Sequence, residues 1–428
     1  MKIVLIEPAS SEANVYSKLH MPLLGPVYLG TILKHRGHDV EIYNEDICRP
    51  DYEQLNADII GISILTSTAK RGYEIASKFP KEKVIIGGVH ASLLPEEALQ
   101  YSRQVVVGEA EEVIVDVVEG AIKDRIVNGR PVQNLDSLPA PDFSLIKGYS
   151  SSPLVMPIST SRGCPFDCTF CSVTKVFGRE YRFRSSDNVI QELLSRTTSS
   201  FFFCDDNFTA HHQRTRDLLW LMIKHKIRGW TCQVRCDVAK DDSLMSLMAQ
   251  AGCSVACVGF ESVNLKTLQV YQKKQSIEDI INAIHSFRKK KIRIHGMFVL
   301  GSDNDNENTI WDTLKFAIRQ KIDTIQMMIL TPLPGTKVYE ELKEQKRIFS
   351  HDWSLYDGQH VVFNPKLLSA RQLQVNVIKA YTKFYSIRRF FSQLMRFHYR
   401  NAMLSLMGHR IIREWIVHNR KMQWLLQL

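Results

Sequence analysis

Three cysteines stand close together in the middle of the chain, at Cys164, Cys168 and Cys171. Their spacing, C-x3-C-x2-C, allows three thiolates to hold three irons of an iron–sulfur cube, because cysteine thiolates are the usual protein ligands of such clusters. The fourth iron then lacks a protein ligand and is open to a small molecule. A zinc site is the alternative, but zinc sites usually combine two C-x2-C pairs, and no second pair lies nearby in the sequence. The triplet therefore predicts a [4Fe-4S] cluster with an open iron.

The segment Ser161–Cys171 resembles the signature of the radical S-adenosylmethionine (SAM) superfamily. That resemblance implies that the amino and carboxylate groups of SAM chelate the open iron. One electron from the cluster then breaks an S–C bond of SAM and produces a 5′-deoxyadenosyl radical. The family also has an aromatic residue where Phe170 stands, beside the adenine of SAM. Without the cysteines around it, Phe170 would read equally well as an ordinary packed ring.

Residues 1–130 alternate short apolar runs with helical patterns, which predicts a parallel, doubly wound sheet. Ligands of such sheets bind beyond the carboxyl ends of the strands. The loops at those ends are rich in small, hydroxylated and glycine residues, which let a large flat ligand approach the backbone. No G-x-G-x-x-G segment occurs, so a dinucleotide is not expected. The candidate ligand contacts are Ser63, Thr66, Ser67, Gly87, Gly88, His90, Gly108 and Glu109.

This N-terminal region resembles the cobalamin-binding domain that precedes many radical SAM cores. The resemblance rests on the segments 21–25, 87–90 and 107–111, and it implies cobalamin as a second cofactor. The D-x-H-x-x-G motif, which supplies a lower axial histidine to cobalt in other cobalamin proteins, is missing, as it is in many radical SAM relatives. A domain that kept the fold and lost the cofactor is the alternative, and His90 alone reads as a loop hydrogen-bonding residue.

Residues 131–155 are rich in turn formers and predict a linker. Six strand–helix units then follow over 156–345, the pattern of the partial (β/α)6 barrel that the superfamily uses. Active residues of βα barrels lie on loops after the strands, and the cysteines follow the first strand. By the resemblance, polar residues at later strand ends contact SAM, although each alone is also a common turn or helix cap. These residues are Asp205, Asp206, Asn207, Arg235 and Glu261.

The remaining cysteines point to the compartment rather than to chemistry. Cys232, Cys236, Cys253 and Cys257 lie in or beside predicted strands, where cysteines usually serve as inert packing residues; a second cluster is the alternative. The chain has nine cysteines, an odd number that argues against a disulfide scaffold, and its first apolar run is too short for a signal sequence. No stretch approaches the ~20 apolar residues that span a bilayer. We therefore expect a cytoplasmic protein.

The positive charge is concentrated in a C-terminal extension, residues 346–428, which is predicted to be mainly helical. The whole chain carries a net charge of +10, and from residue 366 onward there are twelve Lys and Arg residues against one acid, Glu414. Basic helices with interleaved apolar residues often lie on anionic membranes. We expect peripheral contact with the inner membrane surface, or alternatively a helical layer on the body of the protein. Nucleic acid is not expected, because no binding motif accompanies the charge.

The segment Asp357–Phe363 and the helix after it are similar to the tail of the hopanoid-methylase and anaerobic porphyrin-cyclase branch. This resemblance implies methylation of an unactivated carbon of a small molecule or lipid. In such a reaction the 5′-deoxyadenosyl radical removes a hydrogen atom from the substrate, and cobalamin delivers a methyl group to the substrate radical. A second SAM then restores the methyl group on cobalamin. A flavodoxin or ferredoxin system is the implied reductant. The alternatives are a cyclisation or rearrangement without methyl transfer, and a non-catalytic cobalamin-binding carrier.

Overall fold

Two parallel six-stranded sheets organise the chain. The structure is a computed structural model and describes residues 1–10, 21–150, 153, 155–196, 198, 200–395 and 397–419. The first sheet has the strand order β2-β1-β3-β4-β5-β6, a doubly wound arrangement in which the order reverses beside β1. Its strands are β1 (Lys2–Glu7), β2 (Asp39–Asn44), β3 (Ile59–Ser63), β4 (Val84–Gly87), β5 (Gln104–Val107) and β6 (Ile126–Asn128).

Both faces of this sheet are buried. Ile3 and Leu5 of β1 contribute to one hydrophobic core, whereas Val4 and Ile6 contribute to another, because successive side chains of a strand point to opposite faces. The helices are α1 (Leu24–His35), α2 (Ala69–Ala76), α3 (Val89–Leu93), α4 (Pro95–Ala98) and α5 (Ile114–Val118), with 3₁₀ turns at Thr66–Thr68 and Lys81–Lys83.

The segment predicted as a linker packs onto the first sheet. Phe143, Leu145 and Ile146 are buried in the core, and Ile146 forms a parallel bridge with Ile42 of β2. Its 3₁₀ turns are Leu135–Ser137 and Phe143–Leu145.

The second sheet has the order β14-β13-β12-β11-β10-β7, with neighbouring strands parallel throughout. It confirms the predicted α/β fold class with a partial barrel. Its strands are β7 (Met156–Ile158), β10 (Phe201–Phe203), β11 (Trp230–Arg235), β12 (Cys253–Glu261), β13 (Arg293–Leu300) and β14 (Thr324–Ile329); a separate hairpin joins β8 (Ser161–Arg162) to β9 (Arg182–Phe183).

Helices alternate with the barrel strands, as the sequence predicts. Two of them begin with a capping box, Ser276 with Asp279 and Asn306 with Thr309, which satisfies free backbone N–H groups of the first turn. The helices are α6 (Val173–Val176), α7 (Ser186–Ser195), α8 (His212–Lys224), α9 (Asp242–Gln250), α10 (Leu265–Val270), α11 (Ile277–Lys289), α12 (Glu307–Arg319) and α13 (Lys337–Glu344), with 3₁₀ turns at Cys236–Lys240 and Trp353–Leu355.

The C-terminal helices α14 (Ala370–Phe384), α15 (Ile387–Met395) and α16 (Tyr399–Asn419) complete the fold. Two tyrosines, Tyr381 in α14 and Tyr385 just after it, protect the edge of β14. The Ile325 N–H donates to the Tyr385 hydroxyl at 2.8 Å, and the Met327 N–H donates to the Tyr381 hydroxyl at 2.6 Å. An exposed strand edge would otherwise present unpaired backbone groups to another chain. Residues 420–428 of the predicted extension lie outside the described residues. Among the described residues, no helix combines the length and apolar content needed to cross a membrane.

Candidate active site

The three cysteines lie on the loop that connects the two strands of the β8–β9 hairpin. Gly163 separates β8 from Cys164 and has a φ of +83°, a region that favours glycine. A Cβ atom at this position would lie 2.1 Å from the carbonyl oxygen of Glu180. Gly163 therefore lets the backbone turn into the cysteine segment where any other residue would clash.

The thiols of Cys164, Cys168 and Cys171 are free and partly exposed. Burial raises the pKa of Cys171 to about 12, and burial also raises the pKa of Cys164; the charges of the neighbouring thiols and of Asp206 add to both shifts. The thiols of Cys164 and Cys171 therefore need a bound cation to lose their protons near neutral pH. In the part of the chain that the structure describes, no three His, Cys, Asp or Glu side chains converge on a single metal ion. In a cube, by contrast, each thiolate binds its own iron, and three free thiols on one loop fit that donor set.

Arg235, at the end of β11, braces the cysteine loop. Its guanidinium carbon lies 3.7 Å from the centroid of the Phe166 ring, and its Nη1 atom lies 3.9 Å from the sulfur of Cys168. Its Nη2 atom donates to the carbonyl of Lys273 at 2.5 Å. The guanidinium predicted to contact SAM thus places a positive charge directly beside Cys168, a predicted cluster ligand.

Phe170 lies on the other side of the loop, in an apolar cluster with Val299 and Leu330. Its ring meets that of Tyr271 edge-on, with 4.8 Å between centroids. The Thr169 hydroxyl donates to the carbonyl of Val270 at 3.1 Å. These contacts fix the end of the cysteine segment against α10.

The three polar residues after β10 have different surroundings. Asp205 is buried and accepts hydrogen bonds from the backbone N–H groups of Thr160 and Ser161, at 2.7 and 2.9 Å, so it braces the strand that leads into the cysteine loop. Asn207 is also buried, and its side-chain oxygen accepts from the Thr209 hydroxyl at 3.3 Å. Asp206 is exposed, yet the surrounding protein and the charge of Asp205 raise its pKa to about 7.

Glu261 ends β12 in an unusual backbone conformation, with a φ of +63°. Its carboxylate forms a buried ion pair with Lys273, at 2.6 Å. Because non-glycine residues seldom adopt this conformation, and do so mainly at functional sites and turns, the strand end is shaped to hold this pair. Glu261 and Arg235 thus meet around Lys273 at the mouth of the barrel.

A cavity of about 380 Å³ lies between the two sheets. On one side it is lined by the carboxyl ends of β1, β3, β4 and β5, and on the other by Ser161, Phe177, Cys204 and Asp206 of the barrel. The rim of the first sheet is backbone-rich: a Cβ atom on Gly87 would meet only Val106 atoms, at 3.6 Å or more. Five of the predicted cobalamin contacts line this cavity: Ser63, Gly87, Gly88, Gly108 and Glu109.

The other three predicted cobalamin contacts do not line the cavity. His90 is fully buried, 3.3 Å from the Thr66 hydroxyl and 3.2 Å from a carboxylate oxygen of Glu97. The ring of Trp353 covers it at 5.0 Å between centroids. Thr66 is buried with His90, and Ser67 is half-buried. The first sheet therefore presents small residues to the cavity and turns its histidine away.

Comparison with known proteins assigns both halves of the chain. The profile of the radical SAM superfamily matches residues 158–317, and the profile of the B12 binding domain matches residues 13–118. A bacteriochlorophyllide d C-12(1)-methyltransferase of Chlorobaculum tepidum is 30% identical and aligns over 90% of this chain and 87% of its own length. The chain belongs to the B12-binding radical SAM enzymes.

Other relatives of this enzyme lie in the predicted branch. An anaerobic magnesium-protoporphyrin IX monomethyl ester cyclase of Cereibacter sphaeroides is 25% identical over 91% of this chain and 71% of the relative. A hopanoid C-3 methylase of Methylococcus capsulatus is 24% identical over 86% and 77%. The predicted cofactors, a [4Fe-4S] cluster, SAM and cobalamin, are those of this family.

Solved structures share the fold of this enzyme. The cobalamin-dependent radical enzyme OxsB, with aqua-cobalamin and SAM bound, superposes with a TM-score of 0.69 at 16% identity and covers 94% of this chain and 72% of that one. The methyltransferase TsrM of Kitasatospora setae has a TM-score of 0.64 at 16% identity, with 80% and 75% covered.

Several site residues were not predicted from the sequence. Phe166 contacts Arg235, and Lys273 forms an ion pair with Glu261. Arg162 and Arg182 form ion pairs with Glu109. Arg162 lies two residues before the first cysteine of the motif, and this position was the only sequence feature that could have indicated a role for it. Its partner lies 53 residues earlier, so only the arrangement of the two domains reveals the pair.

Proposed function

We propose that this enzyme methylates an unactivated carbon of an apolar small molecule or lipid. One observation carries the proposal: the cavity under the glycine-rich edge of the first sheet is also lined by the barrel residues Cys204 and Asp206, next to the cysteine loop. A methyl carrier in that cavity would face the site of radical formation. Relatives named for bacteriochlorophyllide d and hopanoids support a large, mostly apolar substrate.

When bound, the cluster supplies the electron that cleaves SAM, and cobalamin carries the methyl group. In each turnover one substrate C–H bond breaks and one C–CH3 bond forms. One SAM ends as methionine and 5′-deoxyadenosine, a second ends as S-adenosylhomocysteine, and two electrons enter. We propose a low-potential flavodoxin or ferredoxin as their source.

The chain's own residues orient and enclose the reactants. Arg235 places positive charge at the barrel mouth, next to the cysteine loop and suited to a carboxylate, while the charge of Lys273 is paired with Glu261. Asp206 offers a carboxylate to an ammonium group from the cavity side. Phe170 and Tyr271 form the apolar wall beside the loop. These residues provide both charges that the zwitterionic end of SAM requires.

The test is product analysis with anaerobically reconstituted enzyme, excess SAM, cobalamin, a low-potential reductant and a lipid or pigment extract. We expect 5′-deoxyadenosine and S-adenosylhomocysteine together over many turnovers, and from Cys168→Ala no 5′-deoxyadenosine and no more than one S-adenosylhomocysteine per cobalamin. The control is Cys48→Ala, which removes a half-buried thiol of the other domain. 5′-Deoxyadenosine without S-adenosylhomocysteine would instead indicate cyclisation or rearrangement. Cobalamin binding without SAM cleavage would indicate a carrier.

We also propose that the enzyme, in the cytoplasm, touches the inner membrane surface through α15 and α16. Apolar side chains of these helices are exposed, and α15 has no buried residue. Arg388, Arg400 and Arg410 are exposed beside them. Exposed apolar residues flanked by cations suit an anionic lipid surface. We define the apolar ridge as Phe391, Met395, Phe397, Tyr399, Met403 and Met407, which are 54%, 76%, 75%, 58%, 55% and 55% exposed.

Co-sedimentation with vesicles tests this contact. We expect the full chain to bind phosphatidylglycerol vesicles, to bind less in high salt because exposed charges are screened, and to lose most binding in the double variant Phe391→Ser/Met395→Ser. The control Leu367→Ser removes an exposed apolar residue outside the ridge. A full chain that stays in solution in the presence of the vesicles contradicts the proposal. If the ridge instead mediates self-association, the molar mass measured by light scattering would rise with protein concentration.

A further inference from the structure

A buried group of four charged residues joins the two domains; we call it the interdomain ion cluster. It consists of Glu109 and Glu111, in the loop after β5, and Arg162 and Arg182, on the β8–β9 hairpin. Arg162 lies 2.7 Å from Glu109 and 2.6 Å from Glu111. Arg182 donates to both carboxylate oxygens of Glu109, one of them at 3.1 Å. The four side chains are only 3–12% exposed.

Each side of this cluster adjoins a different cofactor site. Arg162 is two residues before Cys164, and its β-bridge partner is Arg182, so both guanidinium groups sit at the base of the cysteine loop. Glu109, Glu111 and Arg162 line the interdomain cavity. The Val132 N–H also donates to Glu109, at 3.1 Å. This carboxylate, which belongs to the first domain, therefore contacts both the connecting segment and the hairpin.

Stability alone does not account for this arrangement. Buried ion pairs are costly to desolvate, and apolar residues of similar volume often stabilise a protein as well or better. Bidentate Arg–carboxylate contacts do, however, fix distance and orientation. Burial by itself would raise the pKa of Glu109, but the hydrogen bonds and charges of Arg182 and Arg162 hold it below its usual value. The carboxylate thus stays charged and keeps both arginines in place.

We propose that the interdomain ion cluster is a positioning device that sets the distance between the iron–sulfur cluster and the corrin. This inference rests on the proposed function, because it requires both cofactors. Glu109 then acts through the hairpin rather than by touching cobalamin. Loss of its charge is expected to widen the range of separations between the two cofactors, and the iron and cobalamin contents of each variant are measured beside it.

The test uses the doubly loaded enzyme, with reduced cluster and cob(II)alamin, in pulsed dipolar EPR. We expect a narrow distance distribution in the parent enzyme and at least a twofold broader one in Glu109→Gln. Arg182→Lys keeps the charge but loses the bidentate contact, so it should broaden the distribution less. When the enzyme turns over SAM with an extract that contains substrate, the ratio of 5′-deoxyadenosine to S-adenosylhomocysteine should be severalfold higher in Glu109→Gln than in the parent enzyme.

Glu192→Gln is a matched control, because Glu192 is likewise buried between two arginines, Arg184 at 2.5 Å and Arg196 at 2.8 Å, but lies within the barrel region. It should destabilise the protein without broadening the distribution. An unchanged distribution in both Glu109→Gln and Arg182→Lys, or equal broadening in Glu192→Gln, overturns the inference. A parent enzyme that binds both cofactors but forms no S-adenosylhomocysteine would overturn the methylation proposal instead.

Discussion

The carboxyl edges of the two parallel sheets face each other across one cavity, yet they carry opposite chemistry. The first sheet ends in Ser63, Gly87 and Gly108, which are small and uncharged, and the two carboxylates that follow β5, Glu109 and Glu111, are paired with arginines. The second ends in Asp205, Arg235 and Glu261, each already held by a protein partner. One edge suits a broad ligand that packs against backbone, and the other suits a small charged ligand. The same strand architecture is thus specialised by the residues that follow each strand.

The largest effect is expected from the charged side, at Gly163. In Gly163→Ala the new methyl group would meet the Glu180 carbonyl at 2.1 Å, so the cysteine loop must shift. The positive φ alone costs about 1–2 kcal/mol, and the clash adds to that. We expect iron content after anaerobic reconstitution to fall at least about tenfold, roughly 1.4 kcal/mol in binding.

Gly178→Ala separates the clash from the strain. Gly178 has nearly the same φ, +79°, but no atom within 4 Å of its would-be Cβ. It should retain most of its iron. Equal losses in the two variants would show that the backbone conformation, rather than the approach to Glu180, governs cluster loading.

The uncharged side should respond next, at Gly87. The variant Gly87→Phe places a ring in the interdomain cavity, and the backbone has room for it because the nearest atoms to a Cβ there are those of Val106, at 3.6 Å or more. We expect cobalamin retained after gel filtration to fall about tenfold, or ~1.4 kcal/mol. Iron content and abortive SAM cleavage serve as internal controls and should change little. If SAM cleavage falls in parallel, the two edges do not act as separate sites.

Much of this arrangement was predictable from local pattern. The alternating pattern over residues 1–130 predicted a parallel, doubly wound sheet, which is found, and the cysteine loop follows the first barrel strand as expected. The strand β6 and the β8–β9 hairpin were missed, because each strand has only two or three residues and thus too little sequence for a periodic signal. Short elements of this kind are fixed by their partners.

Side-chain direction was the least predictable property. Asp205 and Asp206 are adjacent in sequence, but one braces Thr160 while the other lines the cavity, since neighbouring side chains leave the backbone on different sides. The pairing of Glu109 with Arg182 spans 73 residues. Such contacts depend on how the domains meet, which no local pattern encodes.

The smallest effect on cofactor binding is expected at His90, a residue that the sequence predicted to contact cobalamin. Its ring is sealed between Thr66, Glu97 and Trp353, so His90→Gln should leave cobalamin retention within about twofold, or ~0.4 kcal/mol.

The stability of the His90→Gln variant should fall instead, by about 1–3 kcal/mol, because buried polar partners lose their hydrogen bonds. Burial alone would raise the pKa of Glu97, but hydrogen bonds from His90 and Trp353 lower it below its usual value. A carboxylate with a lowered folded-state pKa stabilises the protein above its unfolded-state pKa, and that contribution is lost as the pH falls through the folded-state value. Thermal unfolding from pH 7 into the acid range should therefore show the parent and His90→Gln converging as Glu97 becomes protonated. A tenfold loss of cobalamin in His90→Gln would instead mean that the histidine turns toward the cavity when the cofactor binds, and the uncharged edge would then need a charged partner after all.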